Sequence, residues 1–122
     1  MLILFAHGSK NPPWRAPVEE LAEWLQAELG QDQVRLAYMA HSPPTLADAV
    51  ADAIGSGAKN IHVLPLFLSS LGHVDRDLRP LVDRLSEAHP SIQLELLPPV
   101  GQHRLFFELV RELAIEAARE ED

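Results

Sequence analysis

The sequence predicts an α/β fold on a parallel sheet, and three observations carry that prediction. Short apolar runs alternate with stretches of helical periodicity, the connections are short throughout, and Pro or Gly marks most junctions. The resulting order, βαβαβαβα, places helices on both faces of the sheet through right-handed crossovers. Leu2-Ile3-Leu4-Phe5-Ala6 is a continuous apolar run, as a strand buried on two faces requires. Pro12 and Pro13 suit a helix start. Val18, Leu21, Ala22, Leu25 and Leu29 follow at helical spacing, and Gly30 stands where that helix stops. Val34 to Met39 reads as the second strand. Pro43 and Pro44 precede a helix with Leu46, Val50 and Ile54 on one face, ended by Gly55 and Gly57. Ile61 to Leu68 reads as the third strand, broken by Gly72. Leu78, Leu81, Val82 and Leu85 mark a third helix closed before Pro90. Ile92 to Leu97 is the fourth strand, and Leu105, Leu109, Val110, Leu113 and Ala117 mark a final helix. With no linker, low-complexity segment or internal repeat, residues 1–122 read as one domain.

Composition narrows the function. The 122 residues are 47% hydrophobic and 23% charged, the balance of a soluble globular protein. There is no cysteine, which excludes disulfides, thiolate metal sites and cysteine nucleophiles. The net charge of −8 disfavours nucleic acid as a partner and suits cations. The opening apolar run is too short for a signal-peptide core, and no stretch reaches transmembrane length, so no membrane partner and a cytoplasmic location are expected. Neither a GxGxxG nor a GxxxxGK[ST] pattern occurs, and no GxSxG supplies a hydrolase serine. His7 follows Ala6 rather than an arginine, unlike a phosphohistidine site, and no Asp ends strand three as a receiver domain would need.

Ligands of such sheets bind beyond the carboxyl ends of the strands. The loops there span roughly residues 7–13, 40–44, 69–75 and 98–103. Of six histidines, His7, His41, His73 and His103 fall one in each loop. Neutral imidazole is the commonest metal ligand and a general base near neutral pH, so this edge is a candidate metal site. No pair has the i, i+4 spacing of a strong zinc motif. His62, inside strand three, and His89, at the end of helix three, read as structural: one satisfied at the sheet, the other capping a helix C-terminus.

Two segments now carry a resemblance. Leu4-Phe5-Ala6-His7-Gly8-Ser9 resembles the opening strand and HGS loop of the class II chelatases. Val63-Leu64-Pro65-Leu66-Phe67-Leu68, followed by Gly72-His73-Val74-Asp75-Arg76-Asp77-Leu78, resembles their PLFL…GHV-x-RD segment. Ala37-Tyr38 with Pro44-Thr45-Leu46, and Pro98-Pro99-Val100-Gly101-Gln102-His103, extend the match over nearly the whole chain. The resemblance points to the short CbiX-type sirohydrochlorin cobaltochelatases, with the ferrochelatases of siroheme synthesis as relatives.

That resemblance implies a flavodoxin-like, three-layer αβα half-domain with a four-stranded sheet in the order 2-1-3-4. It implies insertion of Co²⁺, with Ni²⁺ and Fe²⁺ as alternatives, into sirohydrochlorin without ATP or an organic cofactor. His7 and His73 match the two histidines that bind the incoming ion and act at the pyrrole nitrogens. Relatives with two such halves imply a homodimer for a chain of this length. One position departs from the pattern: the acid expected after strand two is Ala40, with His41 beside it as a substitute ligand or base and His103 as a further candidate. The alternative reading is therefore a non-catalytic paralogue that binds metal or tetrapyrrole. Sirohydrochlorin is a polycarboxylate, and Lys10, Arg15, Arg76, Arg79 and Arg104 all lie in or just after these loops, with Ser9, Ser69 and Ser70 as hydrogen-bond donors. Trp14 reads as a macrocycle-stacking or core-edge residue, and Trp24 as core or dimer interface.

Overall fold

The structure, a computed structural model, describes residues 1–69 and 74–121. Four strands, β1 (Leu2–Ala6), β2 (Val34–Tyr38), β3 (Asn60–Pro65) and β4 (Gln93–Leu96), form one parallel sheet in the order β2-β1-β3-β4. Helices α1 (Pro12–Leu29), α2 (Leu46–Gly55), α3 (Arg79–Ala88) and α4 (Arg104–Glu121) follow them in turn. Leu4 lies between Leu36 and Leu64, which fixes the register of β1 between the edge strand β2 and the inner strand β3.

The elements form where the sequence predicts them, for local reasons. Pro12 and Pro13 occupy the first helical positions of α1, where no intrahelical N–H is needed. Gly30 ends α1 at φ 108°, a conformation open to glycine. Thr45 caps α2 by accepting the Asp48 amide through its hydroxyl (3.1 Å), a bond worth about 1 kcal/mol. His89 is the C-terminal cap residue of α3, as expected, and its N–H donates to the Leu85 carbonyl.

Strand three is shorter than the expected Ile61–Leu68 and ends at Pro65. Past Pro65, Leu66 N–H still reaches the Phe5 carbonyl (2.8 Å), but the Phe67 carbonyl accepts from Gly101 in a loop (2.9 Å). The apolar run continues because it stays in contact with the fold, not because it stays in the sheet.

The two faces of the sheet are covered unequally. On one face Ile3, Phe5, Ala37, Ile61 and Val63 pack against Leu46, Ala49, Val50 and Ala53 of α2 and against Val82 of α3. On the other, Leu4 and Val34 bury against Ala22 of α1, with Leu2, Leu36, Leu64 and Leu66 partly buried beside them. Gln93 and Glu95 of β4 are exposed, and His62 is half-exposed with its Nε2 3.1 Å from Glu95. Helix α4 does not cover them. It packs against the turn Val100–Gln102 that precedes it, and Leu105, Leu109, Val110 and Leu113 are 48–66% exposed. The expected cover of helices on each face is thus incomplete over β3 and β4.

Candidate functional site

The carboxyl edge is built from loops that hold one another. After β1, the Ala6 carbonyl accepts from Met39 N–H (2.9 Å) and the His7 carbonyl from Ala40 N–H (3.2 Å), so β1 and β2 remain zipped past their ends. Gly8 follows at φ 93°, and a Cβ there would stand 2.0 Å from the Ala40 carbonyl oxygen. The backbone of loop one therefore lies directly on that of loop two, and only glycine fits between them. Ser9 is bound on every side. Its N–H donates to Ser42 Oγ (3.3 Å) and its Oγ accepts from Asn11 N–H (3.0 Å). Its carbonyl accepts from the Ser42 hydroxyl and from Arg15 Nη1 (2.8 Å).

This scaffold leaves the His7 side chain exposed at the end of β1. Its ring meets Phe67 edge to face (6.3 Å between centroids, 84°), and Phe67 meets the buried Phe5 in the same way (6.1 Å, 77°). Phe67 is in turn held by loop four, where Gly101 lies so close to Leu68 that a Cβ would fall 2.1 Å from the Leu68 carbonyl oxygen. His41 is exposed on loop two at φ 69°, a left-handed conformation that costs a non-glycine residue about 1–2 kcal/mol. Such strain is concentrated at functional sites. His103 caps α4, its Nδ1 accepting from Leu105 N–H (3.1 Å).

His73 and Ser70 lie outside the described residues. Among the described residues, no three His, Asp or Glu side chains converge as a metal-holding group. The structure therefore brings His7, His41 and His103 to the same edge of the sheet without assembling them into one ligand set.

A cleft of about 490 Å³ opens at this edge, lined by Phe5, Tyr38, Met39, Thr45, Leu46, Ala47, Asp77, Leu78 and Leu81. Asp77 is an acid at its wall, in the π-helical turn Val74–Leu78 that leads into α3. Another hollow, of about 290 Å³, lies at the opposite edge around Met1, Gln33, Ser56 and Lys59, away from the histidines. Of the predicted basic residues, Lys10, Arg76 and Arg79 are exposed. Arg104 pairs with Glu108 (3.1 Å) and Arg15 with Glu19 (3.3 Å). Ser69 is exposed on loop three. Neither tryptophan belongs to the core: Trp14 is 76% exposed and Trp24 66%, which corrects the core readings of each. The residues that sequence reasoning missed are Ser42, Phe67 and Asp77. Phe67 and Asp77 stand inside the matched motifs, while Ser42 carries no signal beyond its place in a βα loop.

Tyr38, at the end of β2, is buried beside the Glu19 carboxylate. Burial raises its pKa above the ordinary 10.0, and the Glu19 carboxylate adds to the rise. The folded state therefore favours the neutral phenol. That preference stabilises the fold fully below the ordinary value and is lost as pH rises through the folded one. Tyr38 is the only tyrosine in the sequence, so phenolate absorbance reads it directly. Titration of the folded chain is expected to give a midpoint above 10.0, falling to the ordinary value in denaturant. Equal midpoints would mean that Tyr38 is not buried as described.

Comparison with known proteins places these features in context. Residues 1–117 match the family model described as CbiX. A sirohydrochlorin cobaltochelatase of Methanosarcina acetivorans is 28% identical over 123 aligned residues, covering 95% of each chain. The crystal structure of the CbiX protein of Marinobacter aquaeolei VT8 superposes with a TM-score of 0.83 at 30% identity, over 99% of this chain and 96% of that one. The sirohydrochlorin chelatase SirB of Bacillus subtilis subspecies spizizenii, solved in complex with cobalt, shares the fold with a TM-score of 0.72 at 21% identity. That match spans 80% of this chain and 42% of SirB.

Proposed function

The chain belongs to the CbiX family, and from that premise we propose that it inserts a divalent metal ion into sirohydrochlorin, with Co²⁺ favoured over Ni²⁺ and Fe²⁺. The names borne by its relatives support a metal chelatase acting on this tetrapyrrole. The observation that carries the reading is the presentation of His7. Its backbone is fixed by neighbouring loops while its imidazole stands exposed, at the same edge as an apolar-walled cleft.

Insertion exchanges one divalent cation for two pyrrole protons. A neutral imidazole supplies the lone pair that the entering ion needs, and the same lone pair accepts a proton once the ion has moved on. In this reading His7 and His73 share those tasks, with His41 and His103 as accessory ligands. The chemistry needs neither ATP nor an organic cofactor, since deprotonation and coordination drive it. Lys10, Arg76, Arg79 and Arg104, with the hydroxyls of Ser9, Ser69 and Ser70, meet the substrate carboxylates. Arg15 joins them only through the N–H groups that Ser9 and Glu19 leave. Residues 1–122 act as one chelatase unit in the cytoplasm, with no nucleic-acid or membrane partner. No helix among the described residues is long and apolar enough to cross a membrane.

The active form is a homodimer. The sequence offers no patch for it, but the exposed stripe Leu105, Leu109, Val110 and Leu113 on α4 supports it, as does the apolar groove of Leu64, Pro98, Val100 and Phe106 beside that helix. Contiguous exposed apolar surface of this kind marks an association site.

The experiment mixes the protein, sirohydrochlorin and Co²⁺ and follows the macrocycle absorbance. Acceleration over the protein-free reaction is expected, from a species of twice the 13.5 kDa chain mass by light scattering. A rate equal to the protein-free reaction would overturn the catalytic reading. Binding of metal or tetrapyrrole without turnover would then stand, as Ala40 in place of the expected acid suggests.

A further inference from the structure

We propose that Ser42 is a positioning residue for His7, acting with Arg15 through the Ser9 carbonyl. Ser42 is 9% exposed and sits on loop two beside the left-handed His41. Its hydroxyl donates to the Ser9 carbonyl and accepts from the Ser9 N–H, a reciprocal pair across two loops. Arg15 of α1 places a second donor on the same carbonyl (2.8 Å). A carbonyl oxygen has two lone pairs, and here each has a donor, from different elements on different sides of loop one.

The placement of these bonds gives them their purpose. The His7 carbonyl is bound to Ala40 and Ser9 to Ser42, so the tripeptide His7-Gly8-Ser9 is tied at each end to the segment 40–42. Gly8, between them, lies against the Ala40 carbonyl with no room to shift. Among the described residues no hydrogen bond holds the imidazole itself; its direction follows from the backbone clamp and the edge of Phe67. A ligand whose ring is otherwise free depends on such supports for its geometry. Removing the Ser42 hydroxyl takes away two bonds at once and leaves the part-buried Ser9 N–H and carbonyl each one partner short.

The inference rests on the chelatase reading for its consequence, so the test reads His7 apart from turnover as well. Supporting groups of this type are worth about 10- to 100-fold in metal affinity or activity. In Ser42→Ala, Co²⁺ affinity by calorimetry without tetrapyrrole and kcat are each expected to fall about 10-fold, with KM for sirohydrochlorin changed by less than about twofold. The ring resonances of His7, assigned by their loss in His7→Ala, are expected to shift and broaden. Ser42→Thr keeps the hydroxyl and is expected to retain most of the affinity. Arg15→Gln, which removes one donor and leaves Ser42 in place, covers the case in which Ser42→Ala fails to fold. It is expected to move the same readouts in the same direction by less.

A lower melting temperature with unchanged Co²⁺ affinity, kcat and His7 resonances would show a structural role only and overturn the proposal. Equal losses in Ser42→Thr and Ser42→Ala would do the same. If the wild-type chain binds Co²⁺ without accelerating insertion, weaker binding in Ser42→Ala still supports the clamp while the chelatase reading falls. A chain that neither binds Co²⁺ nor accelerates insertion overturns each of them.

Discussion

Replacement of His7 with alanine is expected to lower kcat/KM for cobalt insertion by about 10²–10⁴-fold, the range carried by a positioned proton acceptor. On the proposed reading the loss falls on the chemical step, because there the His7 imidazole meets the ion and the pyrrole protons rather than the substrate carboxylates. KM for sirohydrochlorin should therefore move little while kcat falls. Stability should barely change. The side chain is exposed, and among the described residues its ring meets only the edge of Phe67, an interaction worth about 0.5–1.5 kcal/mol. The measurement pairs initial rates with a thermal melt on the same preparation. A variant that keeps its rate to within about threefold, at an unchanged melting temperature, would remove His7 from the chemistry. Combining it with His73→Ala sharpens the point. If the two imidazoles work on one ion, the double variant should lose little more than the worse single one, as groups that act as a unit do.

Much of the fold was legible because strands buried on two faces leave little choice. Leu2–Ala6 reads as a strand from its unbroken apolar run, and it pairs on two sides as that run requires. Proline and glycine at the junctions did the rest, since each acts through its own backbone rather than through distant partners. What failed to show was decided by neighbours. Leu66 to Leu68 look like strand because they are apolar, yet they leave the sheet to meet Gly101. The stripe on α4 looks like a core face, and only the fold reveals that it stands exposed among the described residues.

The site divides in the same way. His7 was visible because a histidine straight after a buried strand is unusual chemistry in an informative place, and the HGS loop around it is specific. Ser42 was not visible. A serine before two prolines reads as a turn, and its value lies in reaching a residue 33 positions away. Trp14 and Trp24 misled for a related reason. Bulk and hydrophobicity argue for burial on average, but they do not say which face of α1 meets the sheet.

Gly8→Ala is expected to destabilise the fold by about 3 kcal/mol or more. Two separate costs add there. The backbone is left-handed at φ 93°, which costs an alanine about 1–2 kcal/mol. The new Cβ would also stand 2.0 Å from the Ala40 carbonyl oxygen, which is backbone and pinned by the bond between Ala40 N–H and the His7 carbonyl. Gly57 separates the two terms. Its φ of 92° matches, but nothing lies within 4 Å of where its Cβ would be. Gly57→Ala should therefore show the conformational cost alone, near 1–2 kcal/mol. The excess in Gly8→Ala then measures how tightly loop one is pressed on loop two. Urea melts of the two variants give that difference directly, and equal losses would mean that the loops part easily. A large excess would mean that the His7 loop cannot relax without unzipping Met39 and Ala40 from β1. In that case the position of the imidazole is set by the sheet itself, and activity in Gly8→Ala should fall further than its folded fraction.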